Sequence, residues 1–219
     1  MLVALASDDA DLRRHAVAKV AAGSKVDTDW AFEGLEAIAR TDKVSNVRCV
    51  SIRGLARIAD ERPVSAVTRI LDYTSTSRDI RAPDDQVRWE CLLLLERAGE
   101  RGYLSEDQRI EVRDACIAHL DQRFTSDVRR TAVRALRFQA DRKVLTALIG
   151  ALTDPDFGVV YEAEHALAAL TGVTHDYDPD AWRTWLSETD DPFALAGSLP
   201  DGVDPPNRNW WQTLTKKRS

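Results

Sequence analysis

Four histidines, three cysteines and 36 carboxylates are the groups from which a metal or acid–base centre would be built in this chain. Glu164-His165 is the one place where a Glu and a His are adjacent, and no second such pair accompanies it. His15, His119 and His175 have no His or Cys at ligand spacing. Asp176, Asp178 and Asp180 alternate like the first ligands of a calcium loop. The Gly and the distal Glu that such a loop needs are missing at the right positions, so capping of the segment that follows is the expected role. Cys49, Cys91 and Cys116 are odd in number, far apart and inside helical patterns. They read as small buried residues, a usage that fits a reducing compartment. Gly-x-Ser-x-Gly, the glycine-rich phosphate loop and the dinucleotide fingerprint do not occur. The expectation is a protein with no catalytic residue, no cofactor and no metal.

Recognition chemistry is better represented. Arg14, Arg53, Trp89, Arg130, Arg134, Tyr161 and His165 are of types that concentrate binding energy at interfaces or sit beside those that do. All seven fall at place three or seven of a nine-residue stretch that recurs five times, at residues 12–20, 47–55, 87–95, 128–136 and 159–167. Place one is Leu or Val, place five is small (Ala16, Ser51, Cys91, Ala132, Ala163) and place nine is Val or Leu. Residues four apart stack on one side of a helix, so places one, five and nine form a packing stripe. Place two is Arg13, Arg48, Arg88 and Arg129, with Val160 in the last copy. An Arg at a fixed place near each helix start is expected to bridge to the neighbouring copy. Places three and seven lie on a face turned away from the stripe, and there they make a mixed basic and aromatic wall suited to an acidic or extended peptide segment. Replacing Arg130 and Arg134 by Glu is expected to abolish capture of such a partner.

The elements that carry these residues follow from the spacing. First places are 35, 40, 41 and 31 residues apart. Asp9, Ser45, Asp84 or Asp85, Ser126 and Asp156 precede the copies as N-caps. A second amphipathic segment lies between copies. It runs over 29–40 (Phe32, Leu35, Ile38, Ala39), 64–73 (Val67, Ile70, Leu71), 105–120 (Ile110, Ala115, Cys116, Leu120) and 144–152 (Leu145, Leu148, Ile149, Leu152). Each unit is thus two antiparallel helices, A and then B, with the recurring stretch on B. A helix that repeats in this way cannot bury its stripe alone, whereas stacked copies can. Nothing alternates with period two, so no sheet is expected. Thr74 to Pro83 is polar and reads as a surface loop. Leu2 to Ala6 resembles the last turn and a half of a first helix, as Leu148 to Thr153 does before Asp154-Pro155-Asp156, so the first repeat is expected to be incomplete, with any targeting segment lying upstream of it.

The organisation expected is a repeat array over 1–172, then a capping helix and tail over 173–219. Asp178 and Pro179 start a short helix whose Trp182, Trp185 and Leu186 cover the flank of the last repeat. Trp210 and Trp211 follow a Pro- and Gly-rich stretch and precede Lys216, Lys217 and Arg218. They read as a tail anchor that folds back onto the array, with a partner or an anionic membrane surface as the alternative. The 219 residues carry a formal net charge of −6, which opposes a main role in binding duplex nucleic acid. No stretch approaches the ~18 apolar residues of a spanning helix. The working form expected is a cytoplasmic monomer.

The recurring stretches with their preceding acids resemble bacterial HEAT-like repeats of the type also found in phycobilisome lyases. Asp154-Pro155-Asp156 with Val159, Ala163, Ala166 and Leu167 carries the resemblance most closely. Ala166 to Gly172, followed by Asp178 to Trp185, is similar to the C-terminal closure of bacterial HEAT-repeat proteins. The resemblance spans roughly residues 1–190. It implies an all-α fold, a right-handed α-α superhelix of about five helical hairpins with a Trp-containing capping helix, whose B helices line the concave side. It also implies a non-catalytic scaffold or adaptor for a protein partner. An enzyme or enzyme helper of the lyase or hydroxylase kind is the alternative. A nucleic-acid-binding protein, using Arg14, Arg53, Arg57, Arg130, Arg134 and Arg137, is a further one. The di-iron HEAT-like enzymes use repeated His-Glu pairs, whereas Glu164-His165 stands alone and in reverse order.

Overall fold

The computed structural model describes residues 7–74, 77–102 and 104–198. Among the described residues there are ten α-helices and no strand. They are α1 (Ala10–Ala22), α2 (Asp29–Thr41), α3 (Ser45–Leu55), α4 (Arg62–Leu71), α5 (Asp85–Arg101), α6 (Glu106–Ala118), α7 (Ser126–Leu136), α8 (Arg142–Ala151), α9 (Phe157–Thr171) and α10 (Pro179–Glu188). The odd-numbered helices carry the five copies of the nine-residue stretch, and α2, α4, α6 and α8 are the intervening amphipathic segments. The segment 2–6 and the pair Trp210 and Trp211 lie outside the described residues.

The chain divides into two compact units, residues 1–95 with 103–111 and residues 96–102 with 112–219. In the first, α3 packs on α1 and α2, and α4 packs on α2. In the second, α9 packs on α7 and α8, and α10 packs on α8. Each unit is thus two layers, B helix on B helix and A helix on A helix, and α10 extends the A layer of the second.

The packing stripe is where the period put it. Fourteen of the fifteen residues at places one, five and nine are buried, among them Val47, Leu55, Val87, Cys91, Ala132, Leu136, Ala163 and Leu167. Leu12, 52% exposed, is the departure. Ser51 fills its place by donating from Oγ to the Leu35 carbonyl at 2.6 Å. Cβ atoms are excluded at one close approach: a methyl on Gly54 would stand 2.8 Å from Ala21 Cβ and 3.1 Å from Leu35 Cδ1, so this glycine lets α3 close on α1 and α2.

Two local expectations are corrected, and one loop is more firmly held than its composition suggests. Ser45 and Ser126 begin their helices and do not cap them; the cap positions are Val44 and Thr125, with no side-chain cap bond. Ser45 Oγ turns instead to Asp84, while Asp42 accepts the Val44 N–H at 2.8 Å. Ile110 is exposed, because the buried stripe of α6 runs through Gln108, Val112, Ala115, Cys116 and His119, and Ile110 lies across the helix from Val112. The described part of the 74–83 loop is tied down by backbone bonds: Arg81 N–H donates to the Arg40 carbonyl at 2.9 Å, and Arg48 holds the carbonyls of Arg81 and Ala82, both at 3.1 Å.

Candidate partner-binding site

Three of the four place-two arginines, Arg13, Arg48 and Arg129, reach the turn before the next B helix. Arg13 grips Asp42 with two bonds, Nε to Oδ2 at 2.7 Å and Nη2 to Oδ1 at 3.0 Å. Arg129 does the same to Asp154, both at 2.7 Å. In each case the acid stands in the turn that leads into the next B helix. Arg48 reaches the corresponding turn through carbonyls. Arg88 donates to the Pro83 carbonyl and pairs with Asp85. The Asp154 partner raises the Arg129 pKa. Burial opposes ionisation of Asp42, but the bonds from Arg13 and Val44 hold its carboxyl below the usual value.

Places three and seven divide by unit. In the first, Cys49 is buried rather than on the wall, and burial pushes its thiol up to about 11. Arg14 pairs with Asp11 one turn back. Arg53 is half exposed but bonded to the buried Glu90, which raises its pKa, and Trp89 beside Glu90 is half-buried. In the second, Arg134 holds Glu96 with two bonds at 2.9 and 2.7 Å, and Arg137 holds Glu162 at 2.7 Å. A glutamate at place four of the following copy, Glu90 or Glu162, receives the arginine in two of these cases. Both place-seven arginines are therefore matched within the fold; aligning place four brings out Arg53–Glu90, but not Arg134–Glu96, whose acid lies one residue beyond place nine.

Arg130, Tyr161 and His165 come together in the second unit, and Phe157 and Tyr177 join them. Phe157, Tyr161 and His165 are four apart, which puts them in one row on α9. Tyr161 lies against His165 with ring centroids 4.0 Å apart and planes tilted by 57°, and Phe157 lies 6.4 Å from Tyr161 and 6.1 Å from Tyr177. Phe157 is 70% exposed, and Tyr161 and Tyr177 are exposed as well. Arg130 pairs with Asp127 and lies over the first turn of α9, where a Cβ on Gly158 would meet its Nη1 at 3.0 Å.

A buried carboxylate places Tyr177. Glu164 accepts Thr174 Oγ1 at 2.5 Å, the N–H groups of His175 and Tyr177 at 3.2 and 3.3 Å, and Trp182 Nε1 at 2.8 Å. Asp176 and Tyr177 take left-handed φ values of 51° and 66°, a conformation that costs a non-glycine residue about 1–3 kcal/mol. The four bonds to Glu164 hold the turn in that shape. Asp178 then caps α10 by accepting from Asp180 and Ala181 N–H at 2.8 and 3.1 Å, and Trp182 sinks fully into the core against His175 and Trp185. Glu164 is thus the fastener of the C-terminal turn. His119 bonds the Ala115 carbonyl through Nδ1 and stacks on Phe124. Among the described residues no three His, Cys, Asp or Glu side chains converge as metal ligands, and no helix is long and apolar enough to cross a membrane.

Residues 76–168 match the family model for HEAT repeats. No curated protein matches the chain. Among solved structures the chain is similar to a designed armadillo repeat protein, at 16% identity and a TM-score of 0.55 over 97% of this chain and 94% of that one. It is also similar to an engineered protein solved by a structural genomics consortium, at 19% identity and a TM-score of 0.54 over 98% and 97%. At such identities the likeness is one of fold: consecutive helix packing of the HEAT and armadillo kind.

Proposed function

We propose that the chain is a non-catalytic scaffold that binds a protein partner on its B-helix face, with the α9 row as the anchor. Exposed Phe157 and Tyr161, with half-buried His165 completing the row and exposed Tyr177 widening it, carry this reading. Large apolar rings left in water beside a folded core are a standing reservoir of binding free energy. Arg130 at the edge of the row selects for an acidic group in an extended segment, because its present partner, Asp127, is a solvent-exposed carboxylate that a ligand carboxylate can replace. Arg134, the remaining wall position of the second unit, contributes packing more than charge because Glu96 already matches it, and Arg14, Arg53 and Trp89 belong to the first unit, where both arginines are paired as well.

The test is affinity capture from the source cell with the full chain, comparing the wild type with Phe157→Ala/Tyr161→Ala and with Arg130→Glu/Arg134→Glu. Loss of the same co-purifying protein in both variants, with unchanged helical content, supports the reading. Undiminished capture by both overturns it. Metal and bound-chromophore analysis of the purified protein tests the lyase-like or hydroxylase-like alternative, which a stoichiometric metal or chromophore would favour.

A further inference from the structure

The A layer of the second unit carries a surface that the α9 row leaves unused. Two clefts flank α8. The larger, about 550 Å³, lies between α8 and α10, with Arg142 and Thr146 on one side, Arg183 and Ser187 on the other, and Ile149 and Leu186 as its apolar lining. The smaller, about 270 Å³, lies between Ala147 and Ala151 of α8 and the end of α6 at Ile117 and Leu120. Gly150 borders both. We propose that the joined clefts are a docking groove for an extended peptide segment of a partner. The segment sets an acidic side chain on Arg142 and Arg183. It then crosses α8 at Gly150, laying apolar side chains on Leu186 and Ile149 and on Ile117 and Leu120. This groove is separate from the α9 row, and its argument does not rest on that row.

Three observations carry it. The first is charge. Arg142 donates from Nη2 to the Leu186 carbonyl at 2.7 Å and from Nη1 to the Thr189 and Asp190 carbonyls at 3.1 and 3.3 Å. These bonds fix the guanidinium at the end of α10, but all three acceptors are neutral. Among the described residues no carboxylate pairs with Arg142, in contrast to Arg134 and Arg137. Its Nε–H is left over for an incoming anion. Arg183 pairs with Asp180, which is 87% exposed, and so weak a surface pair yields to a ligand carboxylate. No carboxylate lines this cleft. The second is shape. Gly150 is exposed, and a Cβ added to it would meet no atom within 4 Å. The crest of α8 is therefore lowest where the two clefts meet. A helix is about 10–12 Å across, which about four extended residues span at ~3.3 Å each. A rounded small molecule fills one cleft, whereas a peptide fills both. The third is apolar surface. Ile117, Leu120 and Leu186 are half-buried, so each keeps apolar area open to the clefts that a covering side chain takes from water.

The probe is a phage-displayed library of random dodecapeptides, selected on the full chain with counter-selection on Gly150→Leu. Leucine has open space at its Cβ and a better helix propensity than glycine, so it fills the groove without unfolding the unit. The expected survivors share an Asp or Glu within about four residues of two apolar residues, the distance that spans α8. Synthetic copies should bind Gly150→Leu and Arg142→Gln about tenfold or more weakly than the wild type, and Phe157→Ala/Tyr161→Ala as tightly. Arg142→Gln also removes bonds to the end of α10, so Arg183→Gln, which touches no such bond, is measured beside it and should weaken binding about threefold or more. Overturning results are a selection with no survivor, survivors that lack an acid, or survivors held equally well by both arginine variants. Peptides kept by Gly150→Leu but lost by Phe157→Ala/Tyr161→Ala overturn the groove while supporting the proposed function; the reverse pattern supports the groove alone.

Discussion

At the scale of single residues, the arginines differ in use although they are alike in sequence. Arg129 and Asp154 are 7% and 4% exposed at their side chains and joined by two short bonds, so each exists to satisfy the other. Arg129→Ala leaves the Asp154 carboxylate buried without its cation, and the expected cost is about 3 kcal/mol. Arg129→Lys recovers only part of it, because an ammonium cannot make the paired bonds of a guanidinium. Urea denaturation of the three proteins measures both figures, and an Arg129→Ala chain as stable as the wild type would refute the ladder. The recurrence of place two made this role legible in advance. The fate of Arg53 and Arg134 was not, because it depends on Glu90 and Glu96, 37 and 38 residues away, and nothing in a single copy shows that those registers meet. Phe157 stands outside the nine-residue window yet four before Tyr161, so the same spacing argument reaches it when extended by one turn. Tyr177 offered no such signal, since its position depends on a left-handed turn gathered by Glu164.

At the scale of helices, the stripe was legible because burial follows the helical period, and the caps were less so because a cap depends on where neighbouring polar groups point. Gly54 shows what periodicity hides. It sits between a place-seven Arg and a place-nine Leu, and its lack of a side chain allows the α3 approach to α1 and α2. Gly54→Ala gains helix propensity yet drives a methyl into Ala21 and Leu35, and overpacking of this kind costs about 1–3 kcal/mol. The expected net effect is a lower urea midpoint; a rise would mean that the layers can part without loss. The cap of α10 adds a pH dependence. The Ala181 and Asp180 N–H groups hold the Asp178 carboxyl below the ordinary aspartate value, so its folded pKa lies under its unfolded one. A group of that kind stabilises fully above the unfolded value and loses its contribution as pH falls through the folded one. Asp42 and Asp84 are lowered too, by bonds that outweigh their burial. Stability is therefore expected to be level from pH 8 to about 5 and to fall below about 4. Asp178→Asn, which keeps an acceptor but does not titrate, should show a shallower fall than the wild type.

At the scale of the whole molecule, the six arginines that would follow a nucleic-acid backbone decide between a basic groove and a neutral face. Arg14 and Arg130 pair with acids one turn away, Arg53, Arg134 and Arg137 with glutamates of neighbouring B helices, and Arg57 donates to the Ala21 carbonyl at 2.7 Å. A phosphate would have to displace a buried or part-buried carboxylate at three of these six, Arg53, Arg134 and Arg137, within a chain of net charge −6. Affinity for duplex DNA comes chiefly from releasing counterions by neutralising phosphates, and cations already neutralised release few. The expected result of a mobility-shift titration is no complex at micromolar protein in about 150 mM salt, and only a weak one, lost steeply on adding salt, at about 20 mM. Binding that persists at the higher salt would show that the glutamates yield to phosphate, and it would move the function from protein recognition to nucleic acid. The aromatic row does not change this expectation, because stacking platforms for single strands work together with a free cationic track, and of the three among these arginines that belong to the second unit Arg134 and Arg137 are matched by Glu96 and Glu162, which leaves Arg130 alone to meet an anion there.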